Sequence, residues 1–214
     1  MKKLTKYNRV AGFLNSIYDK LNQDFFNNEM ERPVITIQSS PKVYGHFTLY
    51  DAWSVNDNGV REINIGAGTL ARPIENVVST LVHEMCHQWN NMKGIKDVSR
   101  GAMYHNKHFK ESAQAHGLIV SRSEIYGWTI TEPSDELIEW ILINDLTDIP
   151  MNRNEFSLDF FGGQPDTNKK PIVKPTGKGS YKKYRCSGCK LLARTTKDAR
   201  LVCGDCEIEM EREG

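Results

Sequence analysis

The first apolar pattern in the chain is helical. From Asn8 to about Glu29, Val10, Phe13, Leu14, Ile17, Tyr18, Leu21, Phe25 and Phe26 recur at three- and four-residue steps, the period of a helix with one buried face. Pro33 closes this segment, and Val34–Gln38 reads as a short strand rich in β-branched residues. Gly45–Tyr50 is a second strand candidate. Asp57-Asn58-Gly59 signals a turn, and Arg61–Ile65 alternates as a third strand. A broad apolar stripe of Ile74, Val77, Val78, Leu81, Val82 and Met85 then predicts a helix from Pro73, a residue suited to the first helical position, to about Met92.

After Trp89 the chain turns polar through Asn90–Gly101. A second helix is expected over His105–His116, stopped by Gly117. Leu118–Pro133 reads as a loop or short hairpin. A third helix starts after Ser134, which can cap it, with Asp135 and Glu136 in its first turn. The stretch 162–180 is rich in Gly, Pro and Lys and reads as a linker. The expected organisation is a body over 1–161, that linker, and a small module over 181–214.

Composition adds little by itself. With 214 residues, 39% hydrophobic and 26% charged, the chain has the balance of a soluble protein with one real core. No apolar run approaches the roughly 20 residues of a membrane helix. The basic start is followed by an amphipathic segment rather than an apolar signal core, so a cytoplasmic protein with no membrane partner is expected. Charge placement is more telling. Residues 168–214 hold 12 basic and 6 acidic residues, a net of +6; the other 16 and 21 leave −5, which together give the overall +1. An acidic body joined to a basic end suggests nucleic-acid contact through that end.

The candidate chemistry lies in two places. His83-Glu84-Met85-Cys86-His87 sits inside the apolar helix. Positions i and i+4 share a helix face, so His83 and His87 can present two imidazoles to one metal ion. Glu84, rotated by roughly 100°, is placed to act on a water there, the spacing of zinc metalloproteases. A catalytic zinc takes three protein ligands and leaves a fourth position open. The third histidine that another zinc-protease pattern places six residues on is here Lys93. His105, His108, His116, His46 and Glu111 remain as candidates, and an expected shared helical face for His105 and His108 leaves the choice between them open. Cys86 is expected to point into the core beside Val82.

The second place is Cys186-Ser-Gly-Cys189 and Cys203-Gly-Asp-Cys206, separated by 13 residues. Four thiolates satisfy tetrahedral zinc with no open position, so this site is expected to be structural. Lys182, Lys183, Arg185, Lys190 and Arg194, with Tyr181 and Tyr184, are candidates to meet phosphates and stack on bases.

Several of these residues resemble the SprT-like (Spartan-type) zinc metalloproteases over about residues 15–120: Leu21-Asn22-x-x-Phe25-Phe26, Ile63-Asn64-Ile65, Leu81–His87 with Trp89, and Tyr104-His105-Asn106-Lys107-His108-Phe109. The resemblance implies an α+β fold, a zincin-like metalloprotease domain with helices packed on a small mixed sheet, followed by a four-cysteine zinc ribbon. It implies His105 as third ligand, because Phe109 follows it at the family spacing, and Glu84 as catalytic residue. Two Zn2+ ions are expected, one catalytic and one structural. The substrate implied is protein, associated with or crosslinked to DNA. The competing reading is a nucleic-acid-binding accessory protein, against which Glu84 weighs, since a scaffold has no use for that carboxylate.

Overall fold

The first apolar stripe forms α1 (Tyr7–Phe25), burying Val10, Leu14, Ile17, Tyr18 and Leu21. The structure, a computed structural model, describes residues 4–40, 43–101, 103–154, 182–195 and 197–213. α1 ends short of the expected Glu29. Asn27 and Asn28 adopt φ of 53° and 56°, a left-handed conformation that Asn tolerates and a helix does not. The Asn22 side chain fixes this return, accepting from Met30 N at 3.1 Å and donating to Met30 O at 3.2 Å.

The chain then builds a three-stranded sheet in the order β1-β5-β2. β1 (Val34–Gln38) runs parallel to β5 (Glu62–Gly66), and β2 (Gly45–Phe47) pairs antiparallel on the other side. The central strand is buried at all five positions, although its sequence alternates. Its polar residues carry partners: Asn64 Oδ1 accepts from Gln38 N at 2.7 Å, and Glu62 Oε2 accepts from Trp53 Nε1 at 2.6 Å. That satisfaction is what lets polar groups enter a core. Between β2 and β5 lies a hairpin the sequence pattern did not predict, β3 (Trp53–Val55) and β4 (Asn58–Val60). Its turn is Asn56-Asp57, at φ 50° and 64°, the double positive φ that a tight hairpin requires. Asn58-Gly59, expected in the turn, belongs to the strand.

α2 (Ile74–Met92) is central to the body. Pro73 stands just before the first helical residue, and the Ile74 N–H donates to Asp148 Oδ1 at 2.8 Å, a cap supplied from far along the chain. Thirteen of its nineteen residues are buried, so the helix is enclosed on most sides. Gln88 joins it to α1, with its Oε1 3.0 Å from the Tyr18 hydroxyl.

A second sheet has the order β6-β7-β9-β8, with β6 (Val98–Ser99), β7 (Tyr104–His105), β8 (Leu118–Ser123) and β9 (Gly127–Pro133). The segment Leu118–Pro133 is therefore a hairpin. α3 (Lys107–Ala115) begins two residues later than expected, capped by Asn106, whose Oδ1 accepts from His108 N at 2.8 Å. His105 thus belongs to a strand, not to α3, and the expectation that it shares a helical face with His108 is wrong. Gly117 (φ 87°) and the Ser134 cap on Leu137 N at 3.2 Å end α3 and start α4 (Asp135–Ile143) as the sequence predicts. Four helices and small mixed sheets make the described residues an α+β protein.

Contacts divide the chain into two units, 1–171 and 172–214. The second is a three-stranded antiparallel sheet, order β11-β10-β12, of β10 (Lys182–Arg185), β11 (Leu192–Thr195) and β12 (Glu211–Glu213). Its core is Tyr184, Cys186, Cys203 and Met210. The linker expected over 162–180, and Tyr181, lie outside the described residues. No helix among the described residues is long and apolar enough to cross a membrane.

Candidate metal centres

α2 carries His83 and His87 one turn apart, and β7 brings His105 to them. His105 Nε2 lies 3.2 Å from His83 Nε2 and 3.1 Å from His87 Nε2. Two of the three outer nitrogens are held from behind, while the buried His105 Nδ1 has no hydrogen-bond partner among the described residues. His87 Nδ1 lies 2.7 Å from Asp97 Oδ2, and His83 Nδ1 lies 3.2 Å from Thr131 Oγ1. Asp97 is buried and also accepts from Asn90 Nδ2 at 3.0 Å. A carboxylate only accepts, so His87 Nδ1 is the donor to Asp97 and Nε2 is the nitrogen turned toward the other two imidazoles. Burial, reinforced by the neighbouring imidazoles, holds His83 well below the usual histidine range and His105 down to about 4. Nitrogen lone pairs directed at one point repel unless a cation lies between them. This donor set fits a divalent metal with three protein ligands and an open fourth position.

Phe109 forms the floor of the site. It is fully buried, with its ring centroid 4.5, 4.6 and 4.7 Å from those of His83, His87 and His105. The spacing from His105 to Phe109 therefore has a packing cause: the first turn of α3 tucks its aromatic under all three rings.

Glu84 lies on the same helix, buried, with its carboxyl pushed up to about 7. Burial is the chief cause. His87 and the Phe47 N–H, which donates to the carboxylate, pull the other way. β2 passes so close that a Cβ on Gly45 would sit 3.2 Å from Glu84 Oε1 and 2.8 Å from Asn64 O, so only glycine fits.

The other histidines are elsewhere. His46 is half-exposed, 3.8 Å from Glu62. His108 is exposed and 3.7 Å from an equally exposed Glu111. His116 stacks on Phe26 at 4.1 Å and lies 2.6 Å from Ser112 O. Lys93 pairs with Glu29 at 2.7 Å. Cys86 is fully buried and burial pushes its thiol far up, which makes it a core residue. Sequence reasoning missed Asp97, Thr131 and Gly45. Asp97 stands in a segment read only as polar loop, and no periodicity links it to His87. Asp97→Ala is expected to lower divalent-metal affinity at the three-histidine site by roughly 10–100-fold. Competition with a chromophoric chelator reads it, and unchanged affinity would remove the support role.

In the second unit the sulfurs of Cys186, Cys189, Cys203 and Cys206 all lie within 4.8 Å of one another, and no cysteine is in a disulfide. The two knuckles are built alike. Cys186 N donates to Leu191 O at 2.9 Å and Lys190 N to Cys186 O at 3.0 Å; Cys203 N donates to Ile208 O at 2.9 Å and Glu207 N to Cys203 O at 2.8 Å. Lys190 and Glu207, at matching places, both take positive φ, 64° and 55°. Backbone N–H groups of Cys189 and Gly188 hold the Cys186 thiol down to about 7. Such a set of soft donors suits zinc.

The basic residues around these knuckles are partly engaged. Lys182 pairs with Asp198, which also binds Arg212 at 2.8 Å. Lys190 Nζ donates to Ser187 O at 2.9 Å, and Arg185 Nη1 to Lys190 O at 3.3 Å. Lys183 and Arg194 lie on neighbouring strands as a register pair. Tyr184, proposed from sequence to stack on bases, is buried, with its hydroxyl 3.4 Å from Asp198 Oδ1. It is a core residue.

The profile of the SprT-like family matches residues 14–125, about half of the chain. The chain belongs to the SprT-like family. The matched span runs from α1 into the β8–β9 hairpin and takes in all three histidines, Glu84, Asp97 and Phe109 of this SprT-like protein; Thr131 and the four clustered cysteines lie beyond it. No curated protein and no solved structure matched the chain.

Proposed function

We propose that this SprT-like protein is a zinc-dependent endopeptidase, of the zincin type, acting on proteins associated with or crosslinked to DNA, with a second, structural zinc in a four-cysteine ribbon. The observation that carries the reading is one buried carboxyl, held near 7, on the helix that also brings two of three convergent imidazoles. His83, His87 and His105 would hold the catalytic ion. When bound there, zinc acidifies a water molecule and polarises the scissile carbonyl.

The remaining work falls to the chain. Glu84 takes the proton of the attacking water and returns it to the leaving amine. Asp97 and Thr131 keep the imidazoles oriented. β2 is an edge strand of its sheet. It bonds to β5 through its Tyr44, His46 and Thr48 positions, so the alternate backbone groups of Gly45 face away, available for a substrate strand to pair with. DNA contact is assigned to the basic second unit, in which Lys183, Arg185, Lys190 and Arg194 are the phosphate-binding candidates, with Lys182 shared with Asp198.

Metal content and hydrolysis test this together. Wild type is expected to carry two zinc ions per chain and to cleave a protein substrate. His83→Ala/His87→Ala is expected to carry one and to cleave nothing, with or without DNA. Undiminished cleavage by the double variant would put the activity elsewhere.

A further inference from the structure

β2 passes over a polar row on α2. Asn76, Thr80 and Glu84 follow one another at four-residue steps on that helix, so they share one face. The Gly45 position joins the two elements: a Cβ there would stand 3.1 Å from Thr80 Cγ2 as well as 3.2 Å from Glu84 Oε1. A cation reaches the same row from outside the helix. Arg72 lies just before Pro73, and its Nη2 donates to Thr80 Oγ1 at 3.0 Å. Its Nε donates to Thr69 O at 2.8 Å. The ring of Tyr44, the residue before Gly45, covers its face, with the guanidinium carbon 4.1 Å from the ring centroid.

Arg72 is held in place without being neutralised. A carbonyl, a hydroxyl and an aromatic ring carry no net negative charge, and among the described residues no carboxylate pairs with this arginine. Other arginines of the first unit find acids: Arg32 lies 3.1 Å from Asp19, and Arg61 lies 3.7 Å from Asp51. Arg72 is half-buried, and burial draws its guanidinium down to about 10, the direction of a cation short of a counter-charge. A guanidinium presents its donors in a rigid planar fork, and the two bonds to Thr69 and Thr80 leave part of that fork for a further acceptor.

We propose that Arg72 is a specificity-determining residue, selecting a peptide with an acidic side chain, Asp or Glu, roughly two residues from the bond to be cut. The spacing follows from the row on α2. Thr80, which holds the guanidinium, and Glu84 are one helical turn apart, about 5.4 Å along the axis. An extended peptide advances about 3.3 Å per residue. A strand paired on the free side of β2, with its reacting carbonyl beside Glu84, therefore brings the side chain roughly two residues away to Arg72. There the carboxylate accepts from the open edge of the fork, while the Tyr44 ring and the two anchoring bonds keep the guanidinium in plane. A charge-assisted bond of this kind distinguishes a carboxylate from an amide of the same shape. The cleavage preference rests on the peptidase reading; the same selection in peptide binding does not, since it is measured without cleavage.

The test uses the full, zinc-loaded chain and a set of peptides in which Glu, and then Gln, stands in turn at each position flanking the cleaved bond. At one position the wild-type kcat/KM for Glu is expected to exceed that for Gln by about tenfold or more. Arg72→Gln is expected to bring that ratio to about one, and Arg72→Glu to turn the preference at the same position toward Lys. A merely structural arginine would change the overall rate and leave the ratio alone. If Arg72→Gln does not fold, Arg72→Lys decides: it keeps the charge but loses the fork, so the ratio is expected to shrink, and an undiminished ratio would assign the preference elsewhere. Equal rates for Glu and Gln at every position in wild type, or a preference that survives Arg72→Gln, would overturn the proposal. Should no peptide be cleaved, the peptidase reading fails, and fluorescence anisotropy with the same peptides, labelled, still decides this one. Tighter binding of a Glu peptide that Arg72→Gln abolishes supports the subsite, and equal binding of the Glu and Gln peptides ends it.

Discussion

Glu84→Gln is expected to retain both metal ions and to hydrolyse a protein substrate about 10²–10⁴-fold more slowly than wild type. The amide keeps the shape of the side chain and an oxygen to accept from the Phe47 N–H, but it cannot take a proton. The buried carboxyl sits at about 7, close to the operating pH at which a base both accepts and returns a proton efficiently. The same substitution has an opposite effect on stability, which separates a catalytic loss from a folding loss. In the metal-free protein the folded value of about 7 lies above the ordinary 4.5. Folding therefore favours the protonated form. The associated stability is fully present below about pH 4.5 and is lost as pH rises through 7. At pH 8 the metal-free wild type carries a buried charge costing on the order of 3 kcal/mol, which the glutamine variant lacks. Denaturant melts should find Glu84→Gln more stable than wild type at pH 8 and equal to it near pH 4–5. Hydrolysis at the wild-type rate by a folded, metal-loaded Glu84→Gln protein would remove this carboxyl from the mechanism.

The parts of this fold that were legible in the sequence are those whose cause is local. α2 could be placed within a residue because its burial repeats with the helical period, and the two histidines share a face for the same geometric reason. Ser134 and Gly117 mark helix ends because a hydroxyl cap and a positive φ act on the nearest backbone groups. What was not legible depends on distant partners. The α2 N-terminus is capped by Asp148, and His87 is oriented by Asp97 across a loop; neither pairing leaves a period in the chain. The helical pattern of Lys107–Ala115 extends in sequence to His105, although the helix itself starts two residues later. The Asn106 cap sets the true boundary, leaving His105 free to pair in a strand. The β3–β4 turn shifted because Asn56-Asp57 and Asp57-Asn58-Gly59 overlap as turn signals. The fold takes the register that sends Trp53 to the buried Glu62.

Cys186→Ser should unfold the second unit while leaving the first intact. The apolar core of residues 182–213 consists of Tyr184, Cys186, Cys203 and Met210, of which two belong to the four-cysteine cluster that could hold a metal ion. Three strands of three or four residues bury too little to offset the ordering of the chain, for which each residue costs on the order of 1.5 kcal/mol. Structural zinc sites of this type contribute about 10–16 kcal/mol of apparent binding free energy, which appears as folding free energy. A serine hydroxyl is a poor replacement for a thiolate, and the Cys189 and Gly188 N–H groups that favour the anionic sulfur of Cys186 are left with a neutral, weaker acceptor. Hydrogen exchange should then show the amides of 182–213 unprotected, with those of α2 as protected as before, and the metal content should fall from two to one. Because each knuckle closes its own turn with two backbone hydrogen bonds, the decisive point is whether those bonds survive when no ion can join the two knuckles. Persistent protection of Cys203 N and Glu207 N in the metal-depleted variant would mean that the turns, rather than the metal, hold this unit together.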